Sequence, residues 1–178
     1  LLHVGRRDHY KNFDLLLQAL FHLKQQSPQR ELPCRLQVLG PPLTDTERQQ
    51  LDELQLAQDV SWQAVHSDGD LKDWYRRSLA LVFPSLWEGF GLPLLEALAA
   101  GTCVVASDIP VFSELVGDGF EPFDPQAVDS LVDALQRILD NPAHRQQRID
   151  TGRAALGRFH WRNTVDQTVA VYRRLATN

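Results

Sequence analysis

Leu79-Ala80-Leu81-Val82-Phe83-Pro84-Ser85-Leu86-Trp87-Glu88-Gly89-Phe90-Gly91-Leu92-Pro93-Leu94-Leu95-Glu96-Ala97 is the stretch that decides the fold. The unbroken apolar run Leu79 to Phe83 suits a central parallel strand, covered by helices on both faces. The helix that follows has Pro93 near its first turn and Gly101 just beyond its end, the usual punctuation of a helix start and stop. Between strand and helix, Gly89 and Gly91 flank Phe90 and permit a backbone close to a ligand, while the first helical N–H groups have no partner of their own.

The same alternation runs outward in both directions. Downstream, Thr102 to Ala106 reads as a second buried strand. Asp108 and Pro110 start a short helix through Val116, and Phe120 to Phe123 is a last short strand. Three amphipathic helices close the chain: Pro125 to Leu139, Pro142 to Phe159 and Trp161 to Ala176. Upstream, strand Leu2 to Val4 leads through a basic loop into a helix from Asn12, its expected N-cap, to about Gln26. Strand Arg35 to Leu39 is broken by Gly40-Pro41-Pro42. Thr44 and Glu47 then form a capping-box pair opening a helix to about Leu54. Val60 to Ala64 is the third strand, followed by a short helix near Asp70 to Arg77. This order predicts an α/β fold, a Rossmann-like doubly wound parallel sheet of about six strands with right-handed crossovers. Ligands of such sheets bind at the carboxyl ends of the strands, beside the switch point of strand order.

Size and composition agree with one globular domain. The chain has 178 residues, 43% hydrophobic and 23% charged, with 10 Gly and 10 Pro, against a typical domain of about 150 residues. A net charge of -5 argues against nucleic acid as a partner. Cys34 and Cys103 stand apart without CxxC spacing, so two buried thiols in a reducing compartment are expected rather than a disulfide or zinc site. No run reaches the roughly 18 apolar residues of a membrane span and no signal peptide is evident, so a cytoplasmic location is expected. The chain lacks Met and opens on Leu-Leu-His-Val-Gly, which we expect to mark a piece excised from something longer.

Two loops carry candidate chemistry. Arg6, Arg7 and Lys11 crowd the segment after the first strand, just before a helix. Side-chain cations and free amides there could converge on a diphosphate; the alternative is a solvated cluster partnering Asp8. In the second loop, Glu88 and Glu96 bracket an anion-binding helix start and could accept hydroxyls on either side of a phosphate, the alternative being a surface Glu88 and a dipole-favoured Glu96. The third Gly of GxGxxG and the GK[ST] of a Walker loop are missing. Asp68-Gly69-Asp70 has the spacing of a DxD metal clamp, but with Ser67 it reads as helix capping. His3, His9, His22, His66, His144 and His160 form no metal pattern, although His9 and His66 fall at the ligand edge. Trp161 is expected in core or inter-domain packing.

Val4-Gly5-Arg6 with Lys11-Asn12, Val38-Leu39-Gly40, His66-Ser67-Asp68, Ala100-Gly101, Val104-Val105-Ala106-Ser107, Glu114-Leu115-Val116-Gly117-Asp118 and above all the Glu-x7-Glu stretch around Gly89-Phe90-Gly91 resemble one family. They look like the C-terminal, donor-binding half of a retaining GT-B glycosyltransferase of family 4, over essentially the whole of residues 1–178. The resemblance implies a nucleotide-diphosphate sugar, GDP- or UDP-linked, as donor substrate, with no cofactor and no metal. It assigns the donor diphosphate to Arg6 and Lys11, with Arg7 an open alternative to Arg6, and hydroxyls of the transferred sugar to Glu88. Glu96 would bind the ribose. Gly5, Gly40, Gly89 and the amides of Phe90, Gly91 and Leu92 would complete the cradle, with Val65 and His66 by the base. Glu88, Arg6 and Lys11 would act in catalysis, the cations and helix dipole stabilising the leaving diphosphate. Tyr10-Lys11-Asn12-Phe13 is most similar to members that use mannose-type donors. The N-terminal acceptor domain of the GT-B fold is then the missing partner, any membrane contact is peripheral and made through the parent, and the isolated chain binds donor without turnover. Two alternatives remain: a nucleotide-sugar 2-epimerase of the same fold, against which the Glu-x7-Glu stretch speaks, and a non-catalytic nucleotide-binding module.

Overall fold

The computed structural model describes residues 1–27 and 34–176. Six parallel strands form one sheet: β1 (Leu2–Val4), β2 (Leu36–Leu39), β3 (Val60–Gln63), β4 (Ala80–Phe83), β5 (Cys103–Ser107) and β6 (Glu121–Phe123). Their order is β3-β2-β1-β4-β5-β6, so chain direction across the sheet reverses between β1 and β4. The loops after these two strands therefore lie on either side of the switch point. This is the expected doubly wound Rossmann-like sheet.

Alternation along the strands builds two cores. Leu36, Val38, Ala80, Val82, Cys103 and Val105 point to one face, where α1 (Phe13–Gln26), α2 (Asp45–Glu53) and α6 (Val128–Asp140) supply Leu16, Leu20, Leu51 and Leu135. Leu2, Leu81, Phe83, Val104 and Ala106 point to the other, under α3 (Asp68–Arg77), α4 (Leu92–Ala100) and α5 (Pro110–Val116). All four residues of β4 are buried, as a strand covered on both sides must be. Two further helices follow, α7 (Pro142–Ala155) and α8 (Trp161–Ala176). No helix among the described residues is long and apolar enough to cross a membrane.

Several local expectations are corrected. Asn12 caps nothing: it sits at φ 55° and its amide donates instead to the Pro125 carbonyl at 2.9 Å, tying the start of α1 to the loop beyond β6. Its side chain is therefore spent on a tertiary contact. Helix α6 begins at Val128 rather than Pro125, because Gln126 N–H bonds the Asp124 carboxylate and Asp124 N–H the Ser130 hydroxyl, which turns the chain first. Helix α7 gives way to a 3₁₀ turn, Leu156–Arg158, before Phe159. At α3, Ser67 accepts from Asp70 N–H at 3.1 Å, so the serine caps and Asp68 already lies inside the helix. Cys103 is buried but Cys34, two residues before β2, is only half-buried against the core. Trp161 is 84% exposed and no residue of α8 is buried, so it joins neither core of the described residues.

Candidate functional site

Gly5 follows β1 with its N–H on the Leu39 carbonyl at 2.9 Å, which seats the first loop against the end of β2. Gly40 follows β2 at φ +138°, where a Cβ would lie 2.5 Å from the Gly5 carbonyl oxygen. Only glycine lets the two loops approach this closely. The Gly40 carbonyl accepts from the Trp62 indole at 2.9 Å, so β3 braces the same edge.

The loop after β1 is joined to the loop after β4 three times over. Leu86 N–H donates to the Tyr10 carbonyl at 2.8 Å. The Tyr10 and Trp87 rings stack with centroids 4.4 Å apart. Lys11 Nζ donates to Glu88 Oε1 at 2.6 Å and lies 5.0 Å and 5.4 Å from the Tyr10 and Phe83 ring centroids. The lysine and glutamate side chains are only 17% and 12% exposed. Two residues 77 positions apart thus form a close ion pair at the switch point, the place where a doubly wound sheet opens to a ligand.

The two neighbouring arginines do different things. Arg7 is locked: Nε and Nη2 make a fork on Glu47 at 2.6 and 3.1 Å, Nη2 also reaches the Pro42 carbonyl at 2.8 Å, and the side chain is 4% exposed. Burial alone would raise the Glu47 carboxyl, but the bonds from Arg7 and Thr44 outweigh it and hold it below the ordinary value. Arg6 is 75% exposed and, among the described residues, pairs with Asp8 at 3.1 Å, a contact weak enough in water to give way to a stronger anion. Geometry therefore separates Arg6 from Arg7, a distinction the sequence left open.

Gly91 starts α4 at φ +112°, where a Cβ would meet the Phe112 ring at 2.9 Å, and no side chain caps the helix. The first-turn amides of α4, near Phe90 and Leu92, thus keep free the positive end of a helix dipole. Gly89 is exposed in the same loop. Glu96 lies one turn in, and does not join Glu88. It accepts from the Tyr75 hydroxyl at 3.0 Å on Oε2. Tyr75, Asp68, Leu71 and Lys72 of α3 with Glu96, Ala99 and Ala100 of α4 line a cavity of about 410 Å³. His66 and His9 are exposed at this edge. His3 is different: it is buried under Phe13 with both ring nitrogens unbonded, and burial, aided by the Arg7 and Lys11 charges, pushes its pKa down to about 4. It is a neutral core side chain below the site.

Sequence reasoning brought Lys11, Glu88 and Glu96 to one edge but missed Tyr10 and Tyr75 as their supports, and missed Glu47 as the partner that occupies Arg7. Tyr75 reads as an apolar-face residue of a short helix. Nothing local says that its hydroxyl meets a glutamate 21 positions on.

Comparison with known proteins agrees with the fold. The family model described as glycosyl transferases group 1 matches residues 1–155. The chain is 30% identical to O-antigen chain mannosyltransferase B of Escherichia coli over 98% of its own length and 45% of that protein's. It is 34% identical to the MMP alpha-(1->4)-mannosyltransferase of Mycolicibacterium hassiacum over 92% of its own length and 40% of that protein's. Among solved structures, sucrose-phosphate synthase from Thermosynechococcus elongatus superposes with a TM-score of 0.81 at 27% identity, covering 99% of this chain and 45% of that one. The chain spans less than half the length of these relatives. With a family match over most of its residues and a sheet of the GT-B kind, the chain belongs to the glycosyl transferases group 1 family.

Proposed function

We propose that this chain is the nucleotide-sugar-binding half of a retaining, metal-independent glycosyltransferase of family 4, and that transfer needs an acceptor-binding domain from the same parent. The observation that carries the reading is the Lys11–Glu88 pair at the switch point. It sets a cation and a sugar-hydroxyl acceptor side by side at the open edge of the sheet. Arg6 and Lys11, with the uncapped start of α4, supply the counter-charge for a leaving diphosphate in place of a divalent ion. Gly5, Gly40, Gly89 and the amides of Phe90, Gly91 and Leu92 line the phosphate path, Glu96 takes the ribose, and Val65 and His66 stand by the base. Glu88 accepts from the transferred sugar. Two relatives named as mannosyltransferases support a sugar of the mannose type; the nucleotide is GDP or UDP on the resemblance of the sequence motifs.

The test is calorimetric titration of this chain with UDP, GDP and their mannose and glucose conjugates, with and without EDTA. Binding of at least one nucleoside diphosphate, unchanged by EDTA, and no sugar transfer to added acceptors is expected. A metal requirement that disappears in Asp68→Ala or Asp70→Ala would return the site to a DxD clamp, and robust transfer by this chain alone would end the claim of a missing acceptor half.

A further inference from the structure

Glu96 is an exposed side chain on a helix surface, of the sort that samples several rotamers in water. Here it does not, because one oxygen is taken. The Tyr75 hydroxyl donates to Oε2 at 3.0 Å, while Oε1 makes no bond among the described residues. The donor is itself fixed. Tyr75 is 1% exposed, its ring belongs to the core under α3 and α4, and its backbone carbonyl accepts from the Thr102 hydroxyl at 2.6 Å, with Thr102 only 2% exposed. A rigid phenol therefore holds a mobile carboxylate from behind, at the rim of the cavity between α3 and α4.

We propose that Tyr75 is a positioning residue for donor binding: it clamps Glu96 Oε2 so that Oε1 is presented, already oriented, to a hydroxyl of the donor's ribose. The inference rests on the proposed function, and adds a residue that touches no ligand. Pre-orientation lowers the ordering cost that an exposed carboxylate otherwise meets on binding. The phenol remains a donor throughout, since burial first and the Glu96 charge second push its pKa upward. A phenol that donates to one oxygen also leaves the other with both lone pairs for the ligand.

The experiment titrates the chain with UDP and GDP and with their 2′,3′-dideoxy counterparts. The wild type is expected to prefer the ribonucleotide at least tenfold. Tyr75→Phe keeps the buried ring and removes only the hydroxyl, and it should weaken the ribonucleotide three- to tenfold while leaving the dideoxy compound unchanged. Thr102→Val keeps the shape of the side chain and leaves Glu96 intact, but removes the hydroxyl that holds the Tyr75 backbone; it should narrow the preference in the same direction and to a smaller extent, which keeps the test alive if Tyr75→Phe is poorly folded. Adding Tyr75→Phe to Glu96→Gln should cost nothing further. Equal losses for both nucleotides in Tyr75→Phe would show a merely structural tyrosine, and an unchanged preference would remove its role altogether. Either result overturns this inference and leaves the nucleotide site standing; a wild type that binds no nucleoside diphosphate overturns both.

Discussion

Glu121 and Glu88 are two carboxylates withdrawn from water and set against cations, one on edge strand β6 and one beyond central strand β4. They are satisfied to different degrees. Glu121, 2% exposed, has both oxygens filled: Arg137 Nε takes Oε1 at 2.6 Å, while His144 Nε2 and Arg148 Nε take Oε2 at 2.7 and 3.0 Å. Its three partners come from α6 and α7, so the cluster pins two helices to the sheet edge. Glu88 gives one oxygen to Lys11 and has the other unbonded among the described residues. A saturated carboxylate has nothing left to offer a ligand. A half-filled one, at the end of a sheet where ligands bind, has.

The largest effect expected from this contrast is on Glu121. Removing it in Glu121→Ala strands two arginines and a histidine beside one another, and a loss of about 2 to 4 kcal/mol follows from breaking a largely buried ion pair, discounted for the partners' partial exposure. Chemical denaturation reads it directly. A loss below about 1 kcal/mol, the range of surface pairs, would put Glu121 in the same class as a solvated side chain.

The same group sets a pH dependence. Burial alone would raise the Glu121 carboxyl, but hydrogen bonds from Arg137 and His144 and the Arg148 charge outweigh it, and its pKa lies below the ordinary 4.5. A depressed folded-state pKa means stability that is fully present above the unfolded value and lost as pH falls through the folded one. Stability should therefore fall more steeply below about pH 4.5 in the wild type than in Glu121→Gln. Parallel acid-unfolding curves for the two proteins would contradict the assignment.

The arginines sharpen the contrast at smaller amplitude. Arg7→Ala removes a fork on Glu47 and should cost on the order of 1 to 3 kcal/mol. Arg6→Ala should leave stability within about 0.5 kcal/mol, as surface changes do. For nucleoside diphosphate binding the order reverses, with Arg6→Ala weakening it while Arg7→Ala, once folded, retains it. Titration of both variants decides the matter, and the reverse pattern would make Arg7 the phosphate ligand.

How far these roles were legible in the sequence follows from their range. The doubly wound parallel sheet and its two covered faces were readable because β4 is a continuous apolar run and Pro93 and Gly101 bracket α4, all local signals; the order of the strands across the sheet was not. The cluster Arg6-Arg7-Lys11 was readable as charge but not as roles, since what disarms Arg7 is Glu47, 40 positions away. Glu47 itself was legible only in its local duty, the capping box with Thr44 that the structure retains. Tyr75 and Glu96 meet only because α3 and α4 pack side by side on one face. The periodicity of α8 was as plain as that of α6, yet α6 is buried against α1 and α8 is exposed along its length. Amphipathic spacing names a face and leaves its partner unspecified.

Glu88 should have only a small effect on stability, and it is the residue that tests the comparison most closely. In Glu88→Gln the amide oxygen can still accept from Lys11 Nζ, so the loss should be about 1 kcal/mol or less, the worth of trading a charged hydrogen bond for a neutral one. Binding is where the second oxygen matters. If Glu88 meets only the transferred sugar, Glu88→Gln should leave UDP or GDP affinity nearly intact, weaken the corresponding nucleotide sugar, and lower the transfer rate of a two-domain parent to the extent that the contact tightens in the transition state. Glu96→Gln should weaken both ligands alike, by an amount on the order of 1.5 to 3 kcal/mol, because the ribose is common to them. The measurement is a titration of each variant with each ligand, on protein whose melting confirms the fold. Equal losses for Glu88→Gln with and without the sugar would assign Glu88 to the diphosphate end. No loss in either variant would make Glu88 a second Glu121, a carboxylate whose only partner is the protein.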